Sequence, residues 1–154
     1  MTLSDILRPE AVKIVSETMS KKRLFQKIGE AAHDVYGCAG AACAEALIDR
    51  EALGPTGVGH GIALPHARID GIDQVRGLFF RLEHPIEFDA VDRQPVDLVF
   101  ALVAPTEAGV QHLKALALVS RTMRDPAICA KLRANGQADT LHTVLTEGRA
   151  SAAA

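Results

Sequence analysis

A chain of 154 residues is long enough for one domain with a real hydrophobic core, and 48% hydrophobic against 23% charged residues is an ordinary balance for a globular protein. The formal net charge of -2 argues against a dedicated nucleic-acid binder, whose phosphate-facing surface is usually strongly basic. No apolar run reaches the length of a membrane span, and Met1-Thr2-Leu3-Ser4-Asp5 lacks the charged-then-apolar layout of a signal peptide, so a cytoplasmic location without membrane or nucleic-acid partners is expected. Cys38, Cys43 and Cys129 contain no CxxC pair and are odd in number, which suits small buried apolar residues better than disulfides or zinc ligands.

In chain order, residues 1–20 read as a leading arm with apolar anchors at Leu3, Ile6, Leu7, Val12, Ile14 and Val15. Ser20 is placed to cap a helix over 21–36 whose Leu24, Ile28, Ala31, Ala32 and Val35 share one face, with Gly37 as its stop. A second helix is expected over 40–51, burying Ala44, Leu47 and Ile48. Residues 58–64 read as extended, 68–73 as a polar turn around Gly71, and 75–82 as a strand with Leu78, Phe80 and Leu82 on one face, broken by His84-Pro85. A loop with a possible short strand follows over 88–92.

The run Val96-Asp97-Leu98-Val99-Phe100-Ala101-Leu102-Val103 is nearly all apolar and lies between Pro95 and Pro105, which fits a central strand covered on both faces. A helix over 108–123 follows, with Val110, Leu113, Leu116, Ala117 and Ser120 as its expected inner stripe. Asp125-Pro126 is an N-cap with proline at the first helical position, opening a short helix to Ala134 that stops near Asn135-Gly136. A last helix is expected over 138–147, then a disordered tail over 149–154. Helices before, between and after strands give an α/β fold: a mixed β-sheet flanked by helices in a single compact domain.

The stretch Gly57-Val58-Gly59-His60-Gly61-Ile62-Ala63-Leu64-Pro65-His66 is the most informative in the chain. Glycines permit positive φ and close backbone approach, and Pro65 stiffens the segment that delivers His66. An imidazole supported in this way can have one nitrogen fixed by a hydrogen bond and the other free, which suits a nucleophile, a general base or a metal ligand. The stretch is not a Walker loop, because no Lys-Ser/Thr pair follows, and Ile62 stands where GxGxxG needs its third glycine. HExxH and GxSxG are absent.

Among the six histidines, His33 and His142 fall within helices, His84 precedes a proline, and His60 with His66 makes only a weak metal-ligand spacing. His112 differs, because it lies in the first turns of the helix after the buried strand, where free N–H groups and partial positive charge favour an anion. His66 and His112, with Arg50 nearby in sequence and the Thr56 hydroxyl, therefore form a candidate pocket for a phosphoryl or carboxylate group.

The run from Asp49-Arg50-Glu51 through Thr56 to Leu64-Pro65-His66 resembles the active-site signature of the enzyme IIA proteins of the mannitol/fructose type, in the bacterial phosphoenolpyruvate-dependent phosphotransferase system. The likeness continues through Pro85-Ile86-Glu87-Phe88-Asp89-Ala90, Gln94-Pro95-Val96-Asp97-Leu98-Val99-Phe100-Ala101-Leu102 and His112-Leu113 and spans residues 3–148, and the second half most resembles the nitrogen-regulatory branch. The resemblance implies that His66 accepts a phosphoryl group on Nε2 from an HPr-like phosphocarrier, that His112 supports the group without carrying it, that Arg50 and Thr56 belong to the phosphoryl-binding surroundings, that no metal or other cofactor is needed, and that the output is binding of regulated target proteins. One position departs from the family pattern: Ala67 stands where glycine usually follows the active histidine.

Free imidazole has a reference pKa of about 6.5, so a large fraction is nucleophilic at neutral pH. Transfer between two histidines is nearly symmetric, which leaves positioning and charge stabilisation as the protein's main contribution. A shallow apolar patch around His66 is expected for the partner. The alternatives are a sugar-specific IIA component passing phosphate to a IIB partner, and a non-catalytic anion- or metal-binding module.

Overall fold

The computed structural model describes the backbone of residues 1–153 and the side chains of residues 1–148, so the tail expected over 149–154 lies outside the fully described residues. A short helix α1 (Leu3–Ile6) and a 3₁₀ turn (Pro9–Ala11) lead into strand β1 (Val12–Val15). The leading arm thus supplies a strand that its few apolar anchors had not marked. Helices α2 (Lys21–Tyr36) and α3 (Gly40–Ala52) follow as expected. Ser20 Oγ accepts the Arg23 amide at 3.1 Å, and Gly37 ends α2 in the left-handed conformation at φ 75°. The two helices cross at glycines: a Cβ on Gly29 would lie 2.3 Å from the Gly40 carbonyl oxygen, so only hydrogen fits there.

The glycine-rich stretch is a hairpin of β2 (Gly57–Gly59) and β3 (Ile62–Ala63), not the single extended segment expected over 58–64. Gly59, His60 and Gly61 take φ values of 101°, 57° and 78°, and these three consecutive left-handed residues reverse the chain. Strand β4 (His66–Ile69) follows, so Arg68 and Ile69 are strand residues and the expected turn begins only after them. Strand β5 (Arg76–Ile86) runs on past His84-Pro85. Its register against β6 (Val96–Pro105) shifts between Arg81 and Ile86, and a proline needs no ladder hydrogen bond at such an irregularity. Residues 88–92 form loop and turn with no strand.

Strand β6 is the axis of the sheet. It pairs antiparallel with β5 on one side and parallel with β3 and β4 on the other, and β5 pairs parallel with β1, giving the order β1-β5-β6-β3-β2 with β4 beside β6. β3 and β4 are one line of chain interrupted at Leu64-Pro65, where the Leu102 amide still reaches the Pro65 carbonyl at 2.9 Å. Eight of the ten β6 residues are buried, as its apolar run requires of a strand covered on both faces. Phe79 on β5 and Phe100 on β6 meet edge to face at 6.0 Å, and each fully buried side chain of this size stabilises the fold by about 1.5–3 kcal/mol.

Helix α4 (Val110–Met123) packs on β6, and α5 (Pro126–Ala134) and α6 (Ala138–Ala153) complete the cover, with α6 against β1. Asp125 Oδ1 accepts the Ala127 amide at 3.0 Å ahead of Pro126, the cap expected for α5. The mixed sheet of six strands flanked by helices matches the expected fold class. Helix α4 is rotated from its expected orientation. Its buried face is His112, Ala115, Val119, Thr122 and Met123, whereas Val110 and Leu113, expected inside, are 62% and 64% exposed. No helix among the described residues is long and apolar enough to cross a membrane.

Candidate functional site

His66 opens β4 immediately after the Leu64-Pro65 interruption. Its Nδ1 lies 2.9 Å from the Leu64 carbonyl oxygen. A carbonyl only accepts, so Nδ1 carries the proton and Nε2 keeps its lone pair. The ring is half-buried, and the local bond to Leu64 fixes both its orientation and its tautomer. Ala67 is buried, pairs with Val103, and is not among the described non-glycine residues with positive φ, so alanine here costs no backbone strain.

Successive strand residues point to opposite faces, so His66 and Arg68 share one face of β4 while Ala67 and Ile69 are buried on the other. Helix α4 brings His112 to the His66 side, with ring centroids 5.7 Å apart and planes at 67°. Arg68 Nε donates to His112 Nδ1 at 3.4 Å, a long contact that leaves His112 Nδ1 as the acceptor and puts the proton on Nε2. His112 Nε2 is buried and has no hydrogen-bond partner among the described residues. Burial first, and then the neighbouring His66 and Arg68, hold the His112 pKa below its ordinary 6.5, which keeps the ring neutral. The site thus has a nucleophilic nitrogen on His66, an unpaired N–H donor on His112 in the first turn of a helix, and a guanidinium that bonds His112 and shares the strand face of His66. That set suits attack on, and stabilisation of, a phosphoryl group.

Arg50 and Thr56 take other partners. Arg50 Nη1 donates to the Gly54 carbonyl at 3.0 Å, closing the turn after α3. Thr56 is buried, and its amide and hydroxyl both donate to the Glu51 carboxylate, at 2.9 and 2.5 Å. Glu51 also receives Lys21 Nζ at 2.8 Å, and Lys21 continues to the Phe88 carbonyl at 3.2 Å. The Leu64 amide donates to the Thr56 carbonyl at 3.0 Å. A continuous chain of bonds therefore runs from Lys21 through Glu51, Thr56 and Leu64 to the His66 ring. In this arrangement Thr56 gives its hydroxyl hydrogen to Glu51 and supports the site from behind.

Arg68 and Glu51 were not singled out from sequence. The two-residue spacing from His66 would have marked Arg68 once residue 66 was known to start a strand, whereas nothing local marks Glu51 as buried. The remaining histidines serve elsewhere: His33 Nδ1 meets the Cys38 carbonyl at 3.0 Å, His142 Nε2 meets the Leu7 carbonyl at 2.9 Å, and His84 is exposed on β5. His60 sits in the hairpin turn, its amide donating to Asp92 at 3.0 Å and its carbonyl accepting from Arg133 at 2.8 Å. Among the described residues no group of three or more His, Cys, Asp or Glu side chains is placed to hold a metal ion.

Residues 5–148 match the family described as phosphoenolpyruvate-dependent sugar phosphotransferase system, EIIA 2. A nitrogen regulatory protein of Bradyrhizobium diazoefficiens is 43% identical over 153 residues, covering 99% of this chain and 100% of the relative. The crystal structure of nitrogen regulatory protein IIA-Ntr from Neisseria meningitidis superposes with a TM-score of 0.84 at 35% identity, covering 93% of this chain and 98% of that one. A fructose-specific EIIA component of Haloferax volcanii is 36% identical over 106 residues, 69% of each chain. The chain therefore belongs to the type 2 EIIA family of the phosphoenolpyruvate-dependent phosphotransferase system, with greater similarity to its nitrogen regulatory members than to its sugar-specific ones.

Proposed function

We propose that this chain is a phosphohistidine carrier: His66 Nε2 accepts a phosphoryl group from a histidine of an HPr-like phosphocarrier in the cytoplasm. The observation that carries the reading is the 2.9 Å bond from His66 Nδ1 to the Leu64 carbonyl, which leaves Nε2 as the free nucleophile beside the unpaired His112 N–H. In the transfer step the Nε2 lone pair forms a bond to phosphorus as the donor's N–P bond breaks, and the electron pair of that bond returns to the donor imidazole. His112 Nε2–H donates to a phosphoryl oxygen, and the Arg68 guanidinium adds positive charge while fixing the His112 tautomer. Arg50 and Thr56 act by shaping the turn and loop that hold Leu64, and thereby His66.

Val110 and Leu113 flank His112 in sequence and are exposed, so they supply the apolar contact for a partner that must bring its own histidine into line. The output is regulatory: target proteins bind according to whether His66 is phosphorylated. The greater similarity to nitrogen regulatory relatives supports that output over sugar transport. The test is intact mass after incubation with phosphoenolpyruvate, enzyme I and an HPr-like protein. One acid-labile phosphoryl group on the wild type and none on His66→Ala is the expected result. Equal labelling of both proteins would refute the assignment.

A further inference from the structure

A groove of about 720 Å³ runs between the β2–β3 hairpin and the corner joining α4 to α5, away from His66 and His112, neither of which lines it. That volume lies within the range of small-molecule sites, about 300–1,000 Å³. Ile62 and Leu64 form its hairpin wall, and Met123 and Pro126 its helix wall. Its polar lining is one-sided: His60, Arg124 and Arg133 contribute basic groups, and no carboxylate is among the lining residues.

The walls are set before any ligand arrives. Arg133 is held by Asp97 through Nε and Nη2 at 2.9 and 2.8 Å, and it braces the hairpin through the His60 carbonyl. A Cβ on Gly61 would lie 2.6 Å from Arg133 Nη2 and 2.7 Å from Asp97 Oδ1, so the brace closes directly over a glycine. Arg124 commits only Nε, to its own helix at the Ser120 carbonyl, and its two terminal nitrogens have no partner among the described residues. An apolar trough lined by one preset guanidinium and one uncommitted guanidinium is complementary to one kind of occupant.

We infer that this groove binds a small amphipathic organic anion, a molecule with an apolar body and a single acidic head held by Arg124. Leu64 lines the groove, and its carbonyl holds the His66 ring, so an occupant touches the residue that orients the imidazole.

The test is a fluorescence titration with 1-anilinonaphthalene-8-sulfonate and with neutral N-phenyl-1-naphthylamine, which lacks the acidic head. Saturable binding of the sulfonate, with the neutral dye about tenfold weaker or more, is expected from one charge-assisted contact. Ala130→Trp places a large side chain at an exposed helical position on the groove and should weaken both dyes about tenfold or more. Arg124→Gln should weaken the sulfonate about tenfold and leave the neutral dye unchanged. Amide-resolved NMR of the wild type keeps the test independent of variant folding: shifts must centre on Ile62, Leu64, Met123 and Ala130. Non-saturable binding, equal affinity for the two dyes, or shifts centred elsewhere would overturn the inference.

Discussion

Arg68 Nε lies 3.4 Å from His112 Nδ1, joining strand β4 to the first turn of helix α4. The contact decides which His112 nitrogen carries the proton, and so which atom would meet the phosphoryl group under the proposed role. Replacing Arg68 with Met removes the donor and keeps the length of the side chain. Both tautomers of His112 should then be populated, visible in its side-chain ¹⁵N shifts, and phosphoryl transfer from the phosphorylated carrier should slow about tenfold or more. Arg68 is exposed, so the melting temperature should change little.

His112 also gives the protein a pH-dependent stability. Its folded-state pKa is lowered below 6.5 by burial, with the neighbouring His66 and Arg68 adding to the effect. The unfolded chain therefore binds this proton more readily than the folded chain. Stability from His112 is fully present above about pH 6.5 and is lost as pH falls through the depressed folded value. Melting temperatures measured downward from pH 7.5 should drop over that window, and His112→Gln should flatten the drop. The same substitution should slow transfer about 100-fold while leaving His66 as acceptor.

Glu51 is the hub behind the site, receiving Lys21, the Thr56 amide and the Thr56 hydroxyl. Removing its carboxylate leaves the buried Thr56 amide and hydroxyl without an acceptor and takes from Lys21 its ion-pair partner. Glu51→Ala should lower unfolding stability by about 3 kcal/mol in a urea titration. It should also loosen Leu64, because the Thr56 carbonyl anchors the Leu64 amide, and the His66 Nδ1 proton should exchange faster with solvent.

Leu113 exposes 64% of its surface next to His112 and does little for the core. Leu113→Asp should leave stability within about 0.5 kcal/mol of wild type. It should raise the KM for the phosphorylated carrier about tenfold or more with little change in kcat, because it acts on docking and not on the reacting atoms.

Features governed by neighbouring residues were legible in the sequence. The Ser20 and Asp125 caps, the Gly37 stop and the buried run of β6 all appear where local chemistry put them. His66 and His112 were legible too, and they do meet. What escaped was set by distant contacts. β1 has four residues and becomes a strand by pairing with Val12↔Phe79 through Val15↔Leu82, a partner far along the chain. Glu51 looks like a charged helix end until Lys21 and Thr56 close around it.

The α4 stripe was misread for a different reason. Apolar periodicity assumes that apolar residues face inward, and here Val110 and Leu113 face out while His112 takes the buried position. Local pattern and buried face disagree at the place where the proposed partner docks, which is where such a conflict is expected.

The most direct measurement is a phosphorus-coupled ¹H–¹⁵N spectrum of the histidine side chains after phosphorylation by the HPr-like carrier. The expected result is phosphorus coupled to Nε2 of His66, with Nδ1 still protonated and donating to the Leu64 carbonyl. Coupling to Nδ1 of His66, or to either nitrogen of His112, would contradict the assignment of roles to these two rings.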